Sequence, residues 1–205
     1  MTYLLDSVLI IFLFVLFGVS HTILASCNIK KRIIENAGNK IAFYRLFYNI
    51  SSLIIFLAIY EIAPKPNLVI YDLAFPYDLI SVGLQIVFIG LLIWTIRYID
   101  GKEFLGISQI IRYYKGTYDI NELDEKQSLV IKGPFKFVRH PIYLFSFMFL
   151  LVRPTMDLFY LISLVCILVY FVIGSYYEEK KLIERFGDEY LEYQKKVARI
   201  FPIKF

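Results

Sequence analysis

Three apolar runs, residues 4–25, 41–63 and 79–99, are each long enough to cross a lipid hydrocarbon core, which takes about 20 helical residues. A chain of 205 residues cannot hide all three in its own interior, because a fold of this size has too much surface for its volume. Hydrophobic residues make up 59% of the sequence, against roughly 45–50% in soluble domains. Lipid is the solvent that such a composition requires.

A fourth run, residues 141–171, is too long for one ordinary span, and Arg153-Pro154-Thr155-Met156-Asp157 interrupts it. Proline ends a helix and Asp157 is a good cap for the next one, so the run predicts a helical hairpin of residues 141–152 and 158–177. The expected fold is all-α: one domain, residues 1–205, containing a bundle of five transmembrane helices and ending in an amphipathic helix. The first span lacks a basic flank and a cleavage site, and reads as a retained helix.

Charge tests the count. With the N-terminus outside and the C-terminus inside, the inner segments are residues 26–40, 100–140 and 178–205. They carry Lys30, Lys31, Arg32 and Lys40, then Lys102, Arg112, Lys115, Lys126, Lys132, Lys136 and Arg139. The tail adds Lys180, Lys181, Arg185, Lys195, Lys196, Arg199 and Lys204, whereas the outer segments keep Lys65 and Arg153. This asymmetry is the positive-inside pattern and fits an odd number of spans. A prokaryotic plasma membrane suits the Lys/Ile/Tyr-rich composition. The net charge of +4 therefore needs no nucleic-acid partner, since basic loops suit an anionic leaflet. Cys27 and Cys166 fit no metal or redox spacing, and no metal site is expected.

Polar residues stand out against this background. The loop 100–140 holds enough apolar residues to predict a short interfacial helix around residues 107–114, or a lid. His21, Tyr44, Arg45, Tyr48 and Asn49 lie within the first two spans, where polar groups face a bundle interior or a cavity. Arg45 reads either as a snorkelling side chain or as part of a site. His21 reads either as an interhelical hydrogen bond or as a catalytic group.

The densest cluster is C-terminal. Pro141 suits a first helical turn, with His140 as cap and Arg139 just outside. A helix N-terminus beside an arginine favours a carboxylate. The hairpin returns Glu178 and Glu179 to the same edge. Adjacent helical residues point about 100° apart, so the two carboxylates have separate roles. Leu182, Phe186, Tyr190, Tyr193 and Val197 form one stripe if the helix continues, and Glu179 lies nearer to it, so Glu179 is the inward group. Glu178 can pair with Lys181. Physics alone allows either a pocket or a charge network that orients the hairpin.

Arg139-His140-Pro141-x-Tyr143, then Glu178-Glu179-x-x-Leu182-x-x-x-Phe186-Gly187-x-x-Tyr190-x-x-Tyr193, then Arg199-x-x-Pro202 resembles the isoprenylcysteine carboxyl methyltransferase and phospholipid methyltransferase superfamily. Ser20-His21-Thr22-x-x-Ala25-Ser26, Tyr44-Arg45-Leu46-Phe47-Tyr48-Asn49 and Asp100-x-x-Glu103-Phe104-Leu105-Gly106 resemble its methanethiol S-methyltransferase and NnrU-type branch. The resemblance implies a membrane methyltransferase that uses S-adenosylmethionine. Gly133, Phe135, Val138, His140, Tyr143, Glu178 and Glu179 would line the cofactor pocket, and Arg139 and Arg199 would face the reaction centre. The acceptor would be a small thiol or a lipophilic molecule, with an isoprenylcysteine carboxyl or a phospholipid amine as alternatives. A thiol gains from a nearby base or cation, for which His21, Arg45 and Arg139 are the candidates. A non-catalytic NnrU-like protein and an NADPH-dependent membrane reductase are the competing readings.

Overall fold

The structure, a computed structural model, describes residues 2–120 and 128–202. Residues 121–127 of the long loop and 203–205 of the tail, including Lys126 and Lys204, lie outside the described residues. The chain divides into two compact units: Met1–Ile11, Pro64–Tyr98 and Leu129–Phe205 form one, and Phe12–Ala63 and Ile99–Ser128 the other. Helix α1 (Thr2–Ala25) contributes to both.

The first unit is built on α4 (Tyr77–Ile96), α7 (Pro141–Leu151) and α8 (Leu158–Phe186). The last carbonyls of any helix lack intrahelical donors. Those of α7 receive them from α4: Ser81 Oγ donates to the Val152 carbonyl at 2.5 Å and Gln85 Nε2 to that of Phe149 at 3.1 Å. Two polar side chains in a mainly apolar helix thereby fix its neighbour.

The expected hairpin is present. Pro154 separates the two helices, and Asp157 Oδ1 caps α8 by accepting the Tyr160 N–H at 2.8 Å. The all-α expectation needs one correction. Strand β1 (Val69–Asp72) pairs antiparallel with β2 (Thr155–Asp157), joining Val69 to Asp157, Tyr71 to Met156 and Asp72 to Thr155. Val69, Ile70 and Tyr71 favour extended backbone, and the turn supplies unpaired groups for them to bond. Met156 is buried with Phe147 and Leu164, against Tyr71, Tyr160 and Phe201.

Helix α8 has 29 residues, about 43 Å at 1.5 Å per residue, longer than a hydrocarbon core of about 30 Å, and its charged residues are gathered from Glu178 onward. The helix does not continue unbroken through the tail, the condition on which the apolar stripe was drawn. Gly187 adopts φ +55° and ends α8, and α9 (Asp188–Lys196) restarts in a new direction. The anticipated stripe still packs together: Tyr190, Tyr193 and Val197 meet Leu182 and Phe186, but across a bend.

In the second unit, α2 (Cys27–Ala37) and a 3-10 turn (Gly38–Phe43) lead into α3 (Tyr44–Ile62). Phe56 of α3 meets Phe14 and Phe17 of α1 edge-on, with ring centroids 6.2 and 5.8 Å apart. The long loop forms α5 (Gly101–Leu105) and α6 (Ile107–Tyr114), the latter spanning the residues where a short helix was expected.

Among the described residues, four helical stretches are long and apolar enough to cross a membrane: Thr2–Ala25, Cys27–Ile62, Tyr77–Ile96 and Leu158–Phe186. Helix α7, with 11 residues, is about 16 Å long, roughly half of a hydrocarbon core.

Gly106 joins α5 to α6 at φ +92°, and a Cβ there would lie 2.7 Å from the backbone nitrogen of Leu46. Both the left-handed backbone and the contact with α3 demand glycine. Gly106→Ala should cost about 1–3 kcal/mol. The readout is the thermal midpoint of the detergent-solubilised protein, and an unchanged midpoint would contradict this docking of α5 and α6.

Candidate active site

The site is assembled by backbone pairing between two segments distant in sequence. After a 3-10 turn (Gly133–Lys136), Val138 forms a parallel bridge with Ala198. The Arg139 N–H donates to the Ala198 carbonyl at 2.8 Å, and the His140 N–H to the Arg199 carbonyl at 2.9 Å. The Tyr193 hydroxyl donates to the Phe135 carbonyl at 2.5 Å. This pairing places Arg199 beside His140. Pro141 then starts α7, as the sequence predicts.

Glu179 is the centre. Its side chain is 3% exposed, and both oxygens are saturated. Arg139 donates from Nε to Oε1 at 2.6 Å and from a terminal nitrogen to Oε2 at 3.0 Å. Gln194 Nε2, at 2.9 Å, and Arg199 Nε, at 3.1 Å, also reach Oε2. His140 Nε2 completes the set, 3.2 Å from Oε1. Arg139 is itself 8% exposed, and its other terminal nitrogen donates to the carbonyls of Gln194, at 3.1 Å, and Val197. It therefore caps the C-terminal end of α9 while clamping Glu179.

Glu178 faces the other way, with its side chain 49% exposed. Its Oε2 accepts from the Tyr143 hydroxyl at 3.0 Å and lies 3.5 Å from His140 Nδ1. The inward assignment of Glu179 is what the geometry shows. The pairing found for Glu178 runs back to α7, in addition to any contact with Lys181. Tyr143 is sandwiched in a column of rings, stacked on His140 at 5.2 Å and on Phe171 at 4.6 Å. Arg199 is 40% exposed and lies over the Tyr176 ring at 5.8 Å.

Each ring nitrogen of His140 faces a carboxylate, which suits the doubly protonated cation. Burial alone would lower its pKa, but the hydrogen bonds and charges of Glu178 and Glu179 outweigh burial and raise it above 6.5. For Glu179, burial would raise the pKa. His140 and Arg139 outweigh that and hold it at about 2, against an ordinary 4.5.

The remaining expected residues fall as follows. Gly133 has φ +56° and packs on Tyr98, whose ring would lie 2.4 Å from a Cβ. Phe135 acts through its carbonyl, and Val138 is buried within the pairing. His21 and Arg45 lie in the second unit. His21 bonds α3 through both ring nitrogens, to Ser52 Oγ at 2.8 Å and the Tyr48 hydroxyl at 2.6 Å. The geometry is that of the interhelical hydrogen bond. Arg45 Nε and Asn49 Nδ2 both donate to the Phe104 carbonyl, at 2.9 and 3.0 Å, tying α5 to α3. Gln194 was not foreseen. Its signal was present, as a polar residue within the 190, 193, 194, 197 spacing of an apolar helix face.

The chain is 30% identical over 196 residues to methanethiol S-methyltransferase 1 of Bradyrhizobium diazoefficiens, covering 93% of this chain and 65% of that protein. It is 29% identical over 113 residues to the methanethiol S-methyltransferase of Pseudomonas deceptionensis, covering 55% of this chain and 41% of that protein. The same-named protein of Crocosphaera subtropica is 26% identical over 128 residues, 62% and 46% of the two chains. The chain is thus similar in sequence to several proteins named methanethiol S-methyltransferase. It spans 65% of the length of the first of these relatives and under half of the other two. No protein-family model and no solved structure matches.

The charges of the cluster set a pH window. Glu179, with its pKa depressed, adds stability that is present above about 4.5 and lost as pH falls toward 2; the displacement corresponds to roughly 3 kcal/mol. His140, with its pKa raised, adds stability that is present below 6.5 and lost as pH rises through its folded value. The cluster should therefore stabilise most between pH 4.5 and 6.5. Glu179→Gln should lower stability by about 3–5 kcal/mol at neutral pH and flatten the acid limb of a melting-temperature profile. His140→Gln should flatten the alkaline limb. A profile unchanged by either substitution would contradict the assignment.

Proposed function

We propose that the protein is a membrane-embedded methyltransferase that uses S-adenosylmethionine and transfers its methyl group to a thiol, with methanethiol as the favoured acceptor. The observation that carries this reading is the pair of half-exposed groups, Glu178 and Arg199, anchored to the buried Glu179 cluster in a relative of the methanethiol S-methyltransferases.

The donor set fits the cofactor's charges. S-adenosylmethionine has a cationic sulfonium and an amino-acid end with one ammonium and one carboxylate. Glu178 offers an anion held in place by Tyr143 and His140. Arg199 engages Glu179 through Nε, which directs the rest of its guanidinium elsewhere for an anion. The exposed ring of Tyr176, beside Arg199, suits a sulfonium as a cation–π partner. When bound, the cofactor supplies a methyl group: an S–C bond forms to the acceptor sulfur as the sulfonium S–C bond breaks, leaving a neutral thioether.

The chain's own part is positioning and charge. In-line displacement depends on holding the two sulfurs in register more than on acid catalysis. Arg199 would favour the thiolate form of the acceptor, whose proton leaves to solvent. Arg139, with its donors turned inward, serves as a positioning residue for Glu179 and α9. His21 and Arg45, singled out by the resemblance of their motifs, are engaged within the second unit, where they join α1, α3 and α5.

We further read the chain as five spans with the N-terminus outside, α7 and α8 forming the hairpin, and the site facing a prokaryotic cytoplasm. The Lys/Arg distribution supports the orientation. The shortness of α7 is met by the extended turn that completes its crossing.

Two measurements test the reading. Calorimetry on purified protein in lipid nanodiscs should show saturable S-adenosylmethionine binding, and headspace chromatography should show dimethyl sulfide formed from methanethiol. Glu178→Ala should weaken cofactor binding by about ten- to a hundredfold, the scale of a charge-assisted contact, while the fold is retained. Glu179→Ala should abolish binding through collapse of the cluster. Heat-free titrations would sink the proposal, and binding without turnover would favour a non-catalytic role.

A further inference from the structure

The polarity of α5 and α6 is inverted relative to a helix facing water. Glu103 and Gln109 are buried, whereas Phe104, Leu105, Ile107, Ile111 and Tyr114 are exposed. The buried side is a polar staple. Arg112 brackets both oxygens of Glu103, one contact being close and the other 3.2 Å. Gln109 Nε2 donates to Glu103 Oε2 at 3.1 Å and to its carbonyl at 3.3 Å. Asp100 caps α5 through the N–H groups of Lys102 and Glu103.

The exposed side is ordered too. Ile107, Ile111 and Tyr114 fall at i, i+4 and i+7 on one face of α6. Lys102 and Lys115 are exposed at the two ends of the pair. The Phe104 carbonyl is held by Arg45 and Asn49 at the start of α3, whose Phe47 and Ile50 are exposed. The apolar face is thus tied to a helix that is itself long and apolar enough to cross a membrane. Apolar residues outside, carboxylate and amide inside, and lysines at the ends describe a segment lying flat at a lipid boundary.

We propose that α5 and α6 form an interfacial hairpin docked on an anionic phospholipid leaflet. Ile107, Ile111 and Tyr114 lie among the upper acyl chains, Lys102 and Lys115 lie at the phosphates, and the Glu103–Gln109–Arg112 staple holds that face outward. The exposed Lys102 and Lys115 favour anionic headgroups, the neighbouring exposed Asp100 being engaged as the α5 cap, and the apolar face continues from a helix apolar enough to cross a membrane. The proposal rests on the membrane-embedded reading given above.

The test uses the full chain with Cys27 and Cys166 replaced by serine, reconstituted in phosphatidylcholine vesicles with and without phosphatidylglycerol. An environment-sensitive fluorophore is placed at Ile111→Cys, or at Tyr114→Cys if the first variant elutes aggregated. Thr117→Cys serves as the aqueous control and Ile86→Cys, in α4, as the membrane control. The expected result is blue-shifted emission at position 111, quenched by lipids carrying a nitroxide near the headgroup and weakly by iodide. Thr117→Cys should report water. Omitting phosphatidylglycerol, or combining Lys102→Glu with Lys115→Glu, should reduce the nitroxide quenching.

Iodide quenching at 111 with lipid quenching at 86 would overturn the hairpin and leave the membrane reading intact. So would protection of 111 from both quenchers, the mark of a protein contact. Iodide quenching at both positions would sink the membrane reading itself. Quenching at 111 indifferent to lipid charge and to the lysine substitutions would overturn the anionic preference.

Discussion

A single carboxylate carries the C-terminal architecture. Taking Glu179 out of water costs several kcal/mol, and only well-aligned donors can offset that cost. They come from three places in the chain: Arg139 and His140 before α7, Gln194 in α9, and Arg199 beyond it. Each donor must be where it is for the carboxylate to stay charged, so the segments are mutually constrained. Arg139 extends the constraint by capping the end of α9, where carbonyls lack donors and the helix dipole favours a cation.

The neighbouring Glu178 shows what one helical step does. Rotated about 100° from Glu179, it meets Tyr143 and one edge of His140, and half of it remains exposed. His140 links the pair by facing a carboxylate with each ring nitrogen. The two glutamates therefore divide the work: one makes the scaffold rigid and the other presents charge. Such a division is suited to a cofactor carrying both signs, because the presenting group is held by partners that are themselves held.

Much of this was legible in the residues, for local reasons. Pro154 followed by Asp157 announces a stop and a restart, and Pro141 marks a first turn. Both act within a few residues of themselves, as does the apolar spacing that places a short helix at 107–114. The inward turn of Glu179 followed from helical geometry once α8 was granted. The rest depended on distant partners. Nothing near Arg139 reveals that its donors end on Gln194 and Val197. The β1–β2 ladder joins segments more than 80 residues apart, and its short strands carry no clear alternation. Gly187 was visible within a motif, but a glycine that ends a helix and one that merely interrupts it look alike until the chain turns.

Hydrogen-bonding capacity ranks the charged and polar groups for chemistry better than their positions in motifs do. Arg139 and Glu179 direct their donors and acceptors at each other and at α9. His21 uses both ring nitrogens to join α1 to α3, and Arg45 reaches the Phe104 carbonyl. In a low-dielectric setting such satisfied groups make a fold specific and resist being recruited for anything else, because each lost partner leaves a costly orphan. Glu178 and Arg199 differ in being anchored at one atom while remaining substantially exposed. An anchored and exposed ion is what a ligand of opposite charge can engage without dismantling the protein. Under the proposed function, the binding chemistry belongs to the rim of the cluster, with the buried ions behind it supplying rigidity.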